Sequence, residues 1–123
     1  MSRMPTVKVR CYTTAEMHRF NLIKNKMKSL YKRYSTLELV CEFCQNFSKS
    51  TKENYTYKVT FNEHFQSKTE CIGILFKNKT ALFKHSLIIE NSETLENAED
   101  VISKKIMFDM MAYGTSYVNQ ILK

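Results

Sequence analysis

Glycine, proline and tryptophan are almost missing from this chain, whose 123 residues include two glycines, one proline and no tryptophan. Phosphate-binding loops and dinucleotide fingerprints need several glycines at fixed spacing, which argues against a nucleotide-dependent enzyme. Long hydrophobic runs are also missing, which argues against a membrane span of roughly 20 apolar residues. Residues 1–10 show no apolar stretch with a small-residue cleavage site, so we expect no signal peptide. We therefore expect an intracellular protein, in the nucleus or cytoplasm, with no membrane partner and with reduced cysteines.

Positive charge is concentrated in the first third of the chain. Residues 1–36 contain nine Lys or Arg and one acid, residues 37–123 contain ten Lys or Arg and eleven acids, and together they give the net charge of +7. A local basic segment attracts polyanions through counterion release, which makes RNA a candidate partner. A solvated helix face would show the same charge pattern, and both interpretations stay open.

Two capping boxes predict the starts of the first two helices. Thr13 with Glu16, and Ser35 with Glu38, have the spacing in which each side chain accepts a hydrogen bond from the other residue's backbone amide. The apolar residues that follow each box recur every three or four positions, as on one face of a helix. The second helix is expected to end near Phe47, before a polar loop.

The first predicted helix is amphipathic and belongs to an N-terminal basic arm at residues 1–34. Its apolar face could pack on the rest of the chain or receive a protein partner, and its basic face could contact RNA. The apolar candidates are Phe20, Met27 and Leu30, and the basic candidates are Lys24, Lys28, Lys32 and Arg33.

Three strands and a last helix are predicted after the second helix. Alternation of apolar and polar residues from Tyr55 indicates a strand with one buried face, and two more apolar segments, 71–76 and 82–90, are separated by a turn. Residues from Leu95 onward repeat at helical spacing. Two helices on one face of the three-stranded antiparallel sheet would give a two-layer α+β domain over residues 35–123, with the other sheet face exposed.

This helix–strand–strand–strand–helix order resembles the double-stranded RNA-binding domain. Residues 39–45, Leu-Val-Cys-Glu-Phe-Cys-Gln, are similar to that family's first helix, and Tyr57-Lys58-Val59 is similar to its first strand. The resemblance covers most of the chain after residue 34. It implies an α-β-β-β-α fold, preceded here by the extra basic helix, and three regions of RNA contact.

The family's three RNA-contact regions match this sequence to different degrees. Its polar helix residue matches Glu42, and its Gly-Pro-x-His loop corresponds to a loop without glycine or proline, in which His64 is a weak match. Its Lys-Lys-x-Ala-Lys helix start fits two registers. With Ala98 as the family's alanine, the lysine positions are apolar or acidic and would not bind phosphate; with Lys104 and Lys105 as the lysines, the preceding loop becomes long. We favour the first register, because long structureless loops are uncommon in compact domains.

With these RNA-contact residues degenerate, the chain is similar to the third domains of Loquacious-like Dicer partner proteins. That resemblance implies a non-enzymatic adaptor of an RNA-processing or RNA-silencing complex, which acts mainly in association with a protein partner or as a homodimer. The third strand is apolar enough for pairing at the sheet edge, and Leu87 and Ile89 are its candidate interface residues. The alternative is a genuine duplex-RNA binder that uses Lys104 and Lys105.

A metal or thiol site is the least favoured alternative. Cys41 and Cys44 form a Cys-x-x-Cys pair, but structural zinc usually takes two such pairs, and Cys11 and Cys71 are isolated. The cysteines then act as small buried hydrophobic residues, and a zinc- or thiol-dependent small enzyme is the other interpretation. No nucleophile elbow or triad spacing is present. We expect no enzyme activity, no cofactor and no small-molecule substrate.

Overall fold

The described residues of a computed structural model, 12–27, 35–64, 68–90 and 95–123, form an α+β structure with a three-stranded antiparallel sheet. None of the helices in these ranges is long and apolar enough to cross a membrane. The predicted class and element order are confirmed, with one short helix added at the end. The elements are α1 (Thr14–Met27), α2 (Thr36–Thr51), β1 (Tyr55–His64), β2 (Lys68–Lys77), β3 (Thr80–Glu90), α3 (Leu95–Tyr113) and α4 (Thr115–Ile121).

Both predicted capping boxes are formed. The Glu16 amide donates to Thr13 Oγ1 at 3.0 Å, and the Thr13 amide donates to Glu16 Oε1 at 2.9 Å. The Glu38 amide donates to Ser35 Oγ at 3.1 Å, and the Ser35 amide donates to Glu38 Oε1 at 3.0 Å. Each box satisfies backbone amides that have no partner within the helix, which is why α1 and α2 begin where they do.

Helix α2 is longer than predicted. It continues past Phe47 to Thr51, and two hydroxyl groups near its end bond to carbonyls one turn earlier: Ser48 Oγ donates to the Cys44 carbonyl at 2.7 Å, and Thr51 Oγ1 donates to the Phe47 carbonyl at 2.8 Å. The helix ends at Lys52, which has a left-handed φ of 67°. A polar segment was therefore compatible with helix, and the loop is shorter than expected.

The strands lie in the order β1-β2-β3, with β2 in the centre. Asn78 has a φ of 61° in the tight turn between β2 and β3, a conformation that asparagine tolerates better than most residues. Leu82 is an extra residue in β3 relative to β2. This bulge allows both Leu82 and Phe83 to pack on the core.

Helices α2 and α3 cover one face of the sheet, with α2 on β1 and α3 on β2 and β3. Gly73 lets α3 approach β2 closely, because a Cβ atom at this position would overlap Ile102 Cγ2 and would lie 2.9 Å from Tyr57 Oη. Tyr57 Oη and Ser103 Oγ share a hydrogen bond of 2.8 Å across the same contact. The fully buried Ser103 thus has a partner in the core.

Helices α1 and α4 pack on the other two helices and share their core. The Phe20 ring of α1 lies 5.2 Å from the Phe108 ring of α3, and Tyr117 of α4 packs edge-on to Phe43 of α2 at 5.3 Å, measured between ring centroids. The helical side of the sheet is therefore thicker than the predicted single layer of two helices.

Candidate interaction surfaces

Helix α3 begins at Leu95 and not at the lysine pair. Ala98 is 2% exposed and packs against β2, whereas Lys104 and Lys105 lie in the middle of the helix. The helix therefore starts where the sequence analysis favoured, and its alignment with the family's last helix stays a prediction. The first two turns of α3 thus carry carboxylates where the resemblance would have implied lysines.

An open cleft of about 380 Å³ lies between the first turns of α2 and α3, and we name it the helix-end cleft. Three of its six lining residues are acidic and none is basic. Burial, and then the charges of Glu38 and Glu99, raise the pKa of the nearby Cys41 thiol. A phosphate about 8 Å from one carboxylate is repelled by about 0.5 kcal/mol in water, so this cleft opposes a nucleic acid backbone. Its lining residues are Ser35, Leu37, Glu96, Asn97, Glu99 and Asp100.

Two of the predicted RNA-contact residues, Glu42 and His64, face different sides of the described structure. Glu42 is half-buried on α2, and its charge adds to the effect of burial in raising the pKa of the Tyr117 phenol, which places Glu42 on the side of α4. His64 lies on the sheet face away from the helices, where its Nε2 is 3.1 Å from Glu70 Oε1. The structure therefore does not bring Glu42 and His64 to one phosphate-binding surface.

The described members of the predicted lysine set are all half-buried. Lys104 is half-buried with its Nζ 5.6 Å from the centroid of the Phe20 ring, so its charge is directed to α1. Lys105 is half-buried on α3, and Lys24 is half-buried on α1. The other predicted basic residues, Lys28, Lys32 and Arg33, lie outside the described residues.

The apolar face of α1 is used within the molecule. Phe20 and Met27 are 2% and 6% exposed and belong to the main hydrophobic core. This face was predicted either to pack on the rest of the chain or to receive a partner. Phe20 and Met27 pack on the rest of the chain and are not accessible to a partner. Leu30 lies outside the described residues.

The side chains of Leu87 and Ile89 also face inward. Ile89 is 3% exposed, and half-buried Leu87 packs beside it in the cluster formed with α3. Alternate residues of a strand point to the same side, and here that side is covered by α3. The Ile89 side chain is therefore not accessible to a partner, whereas pairing at the edge of β3, for which the two residues were named, stays a prediction. Ile88, which lies between them, is 51% exposed on the opposite side.

The sheet face opposite α2 and α3, which we name the outer sheet face, combines apolar and basic side chains. Three half-buried residues of the central strand, Ile72, Ile74 and Phe76, form an apolar stripe along it. Lys58 of β1 and Lys84 of β3 pair with Ile74 from either side. Both lysines are exposed, and neither forms an ion pair with a carboxylate in the described part of the chain. The remaining described members are Thr56, Thr60, Asn62, His64, Lys68, Glu70, Ala81, Ser86, Ile88 and Glu90, so two carboxylates and a third lysine lie toward the end of the sheet where β2 begins.

The sequence predicted that one sheet face is exposed but did not identify its residues. Residues 71–76 are nearly continuously apolar, so their pattern does not say which side chains face the helices. A signal was available in β1, where Tyr57 and Lys58 alternate and the aromatic residue must face the core. The register that places Ile74 opposite Lys58 is a property of the folded sheet and was not available from either strand's sequence.

The described cysteines, half-buried Cys41 and buried Cys44 and Cys71, are free thiols, and their raised pKa values keep them protonated at neutral pH. Burial, and then the charge of Cys41, raise the pKa of Cys44 from 9.0 to about 12. Burial, and then the charge of Glu99, raise the pKa of Cys71. A thiol with a raised pKa is a poor nucleophile and a poor metal ligand. No group of three or more His, Cys, Asp or Glu side chains is placed to hold a metal ion within the described ranges.

One histidine–carboxylate pair connects the sheet to the helices. His85 Nε2 of β3 lies 2.6 Å from Asp109 Oδ2 of α3. No serine or cysteine of the described residues hydrogen-bonds to His85, so the pair has no attached nucleophile. We interpret it as a contact that holds β3 against α3.

Two surfaces thus differ from the rest of the described chain: the helix-end cleft, which is acidic, and the outer sheet face, whose apolar stripe is flanked by lysines at Ile74. The first opposes a phosphate backbone, and no element in the described ranges covers the apolar side chains of the second. Compared with known proteins, the chain matches no protein-family model, no curated protein and no solved structure.

Proposed function

We propose that this chain is a non-enzymatic adaptor with a degenerate double-stranded RNA-binding-like domain. It acts mainly in protein–protein association, with a partner or as a homodimer, within an intracellular RNA-processing or RNA-silencing complex. The resemblance in element order and in the motifs of α2 and β1 supports the RNA-processing context. The observation that carries the association role is the acidic start of α3.

The charge at the start of α3 works against duplex binding. Glu96, Glu99 and Asp100 lie in the first two turns, where family members hold phosphates with lysines. Each lost phosphate contact lowers the salt dependence of binding by about 0.9 in the slope of log K against log salt. Losing several contacts leaves weak binding at physiological ionic strength. The fold is then free to serve another ligand, and a polypeptide is the one that its apolar sheet face suits.

Weak RNA contact through the basic N-terminal segment is a second, subordinate function. Residues 1–36 hold nine Lys or Arg against one acid, and this imbalance attracts a polyanion without requiring base contacts. Lys24 is the described member of the predicted basic set, and Lys28, Lys32 and Arg33 are its other members.

The test is capture of partners by the tagged full chain, with and without nuclease treatment, together with light scattering of the purified protein. A protein partner that survives nuclease treatment, or a stable homodimer, is the expected result. A purified protein that is monomeric and captures no protein after nuclease treatment would contradict the adaptor role. Duplex RNA binding that is lost in the Lys104→Ala, Lys105→Ala variant would establish the alternative instead.

A further inference from the structure

We propose that the outer sheet face docks an acidic amphipathic helix of a partner protein. The helix lies along β2, its apolar side chains contact Ile72, Ile74 and Phe76, and its carboxylates pair with Lys58 and Lys84. This inference rests on the proposed adaptor function and adds to it a surface and the chemistry of the partner.

The apolar stripe departs from what a solvated sheet face usually carries. An antiparallel sheet with one face in water normally alternates apolar residues toward the core and polar residues toward solvent. Strand β1 follows this rule on the outer sheet face with Thr56, Lys58 and Thr60. The central strand β2 instead presents Ile72 and Ile74 there, although its other face is already buried under α3. Such a stripe is stabilised when another apolar surface covers it.

The dimensions of the stripe match one helix. Alternate residues of a strand are about 6.8 Å apart, and residues i and i+4 of a helix are about 6 Å apart, so apolar helix positions at this spacing follow Ile72, Ile74 and Phe76 in step. Neighbouring strands are about 4.8 Å apart, which separates the backbones of Lys58 and Lys84 by about 10 Å, close to the diameter of a helix. One helix lying on β2 therefore has a lysine along each flank.

The charges decide the chemistry of that helix. Lys58 and Lys84 are exposed and make no ion pair in the described part of the chain, so both can pair with carboxylates that border an apolar stripe on the partner. A second copy is disfavoured, because the residues that flank Ile74 are lysines on both sides, and the carboxylates of the face, Glu70 and Glu90, lie toward the other end of β2. RNA is disfavoured, because two phosphate contacts give little affinity at physiological salt and the stripe between them has no hydrogen-bonding side chains.

The direct test uses the full chain and a labelled synthetic helical peptide that has leucines along one face and glutamates on both borders. A matched peptide carries lysine in place of every glutamate. Fluorescence anisotropy is expected to show at least tenfold tighter binding of the glutamate peptide, and this preference is expected to weaken as salt rises. The Lys58→Glu, Lys84→Glu variant should reverse the preference, and Ile74→Asp should lose both peptides.

The control variant is Lys26→Glu, Lys49→Glu, which makes the same charge change at exposed positions of α1 and α2. It is expected to keep the wild-type preference, and circular dichroism establishes that each variant is folded. Because Lys58 and Lys84 are exposed, their substitution tests binding even if Ile74→Asp fails to fold.

Several results would overturn the proposal. Failure of the wild type to bind the glutamate peptide, or equal binding by the Lys58→Glu, Lys84→Glu variant, rejects the docking surface. A concentration-dependent dimer that Lys58→Glu, Lys84→Glu alters assigns the face to a second copy, and duplex RNA binding lost in that variant assigns it to RNA. A nuclease-resistant partner captured equally by wild type and variant would reject this surface while leaving the adaptor function standing.

Discussion

Gly73 shows how a single residue sets the distance between the sheet and α3. Any larger side chain would push on Ile102 and on Tyr57, whose hydroxyl group is the partner of the fully buried Ser103 hydroxyl group. Leaving that buried hydroxyl group without a partner costs about 1–3 kcal/mol. Nothing in the sequence pattern marks this requirement, because Gly73 lies inside an apolar run that reads as ordinary strand.

The Cys44 thiol limits stability at high pH. Its pKa is raised by burial, and then by Cys41, from 9.0 to about 12. In the unfolded chain the thiol loses its proton near pH 9, whereas the folded protein retains it. The unfolded state then binds fewer protons, so above pH 9 the free energy of unfolding falls by up to about 1.4 kcal/mol per pH unit, until pH approaches 12.

Urea unfolding of the wild type and of Cys44→Ala between pH 7 and pH 11 measures this contribution. The variant is expected to be less stable at pH 7, because it loses a buried side chain, and to lose stability less steeply above pH 9. The buried tyrosines contribute to the pH dependence of the free energy of unfolding in both proteins, so their contribution cancels when the two curves are compared. Parallel curves for the two proteins would contradict the assignment.

The elements of the fold were predictable to the extent that local chemistry determines them. The capping boxes at Thr13 and Ser35 fixed two helix starts, and alternation from Tyr55 fixed β1, because these patterns depend on neighbours in sequence. The end of α2 was missed because residues 48–51 are polar and show no apolar periodicity, which is compatible with an exposed helix end as well as with a loop. The inward direction of Ile89 was missed because it depends on register with β2. Information of that kind is tertiary and is not present in a short window of sequence.

Helix α1 is expected to be necessary for the stability of the whole fold and not an independent arm. Phe20 is buried against Phe108 of α3 and also supports the Lys104 ammonium group. We expect Phe20→Ala to lower the free energy of unfolding by about 3–5 kcal/mol, as for other buried phenylalanines. Chemical denaturation followed by far-ultraviolet circular dichroism measures this loss in a single transition.

The matched control is Leu22→Ala on the same helix. Leu22 is 38% exposed, so its truncation is expected to change the free energy of unfolding much less than that of Phe20. Similar small effects for both substitutions would mean that α1 is not part of the core.

At the scale of the whole molecule, the net charge of +7 conceals a separation of charge. The start of α2 and the start of α3 lie together and carry carboxylates. The end of α2 and the β2–β3 turn lie together at the opposite end of the sheet, where Asn78 Nδ2 donates to Glu53 Oε1 at 3.0 Å. This region carries four lysines and one carboxylate, Glu53. The sequence revealed the excess of basic residues before residue 37 but not this second division, because it arises from the antiparallel arrangement. The acidic residues are Glu38, Glu96, Glu99 and Asp100, and the basic residues are Lys49, Lys52, Lys77 and Lys79.

If the acidic helix-end cleft is what prevents duplex binding, reversing its charge should create such binding. The variant Glu96→Lys, Asp100→Lys replaces two carboxylates at the start of α3 with ammonium groups that can reach phosphates. We expect a gain in affinity for duplex RNA and a slope of log K against log salt that is steeper by about 1.8, from two new phosphate contacts. A gel-shift titration over a salt series measures both quantities, after circular dichroism has established that α3 tolerates lysines near its positive end.

The control for this gain is Glu53→Lys, Glu70→Lys, which adds the same positive charge at the β2–β3 turn end and on the outer sheet face. Any protein whose net charge rises by four binds RNA somewhat better. Only the difference between the gain in RNA affinity of the cleft variant and that of this control therefore reports on the cleft. Equal gains for the two variants would mean that position does not matter and that the cleft is not a lost phosphate site. A gain confined to the cleft variant would show that the fold still presents the geometry for a duplex and lacks only the charge.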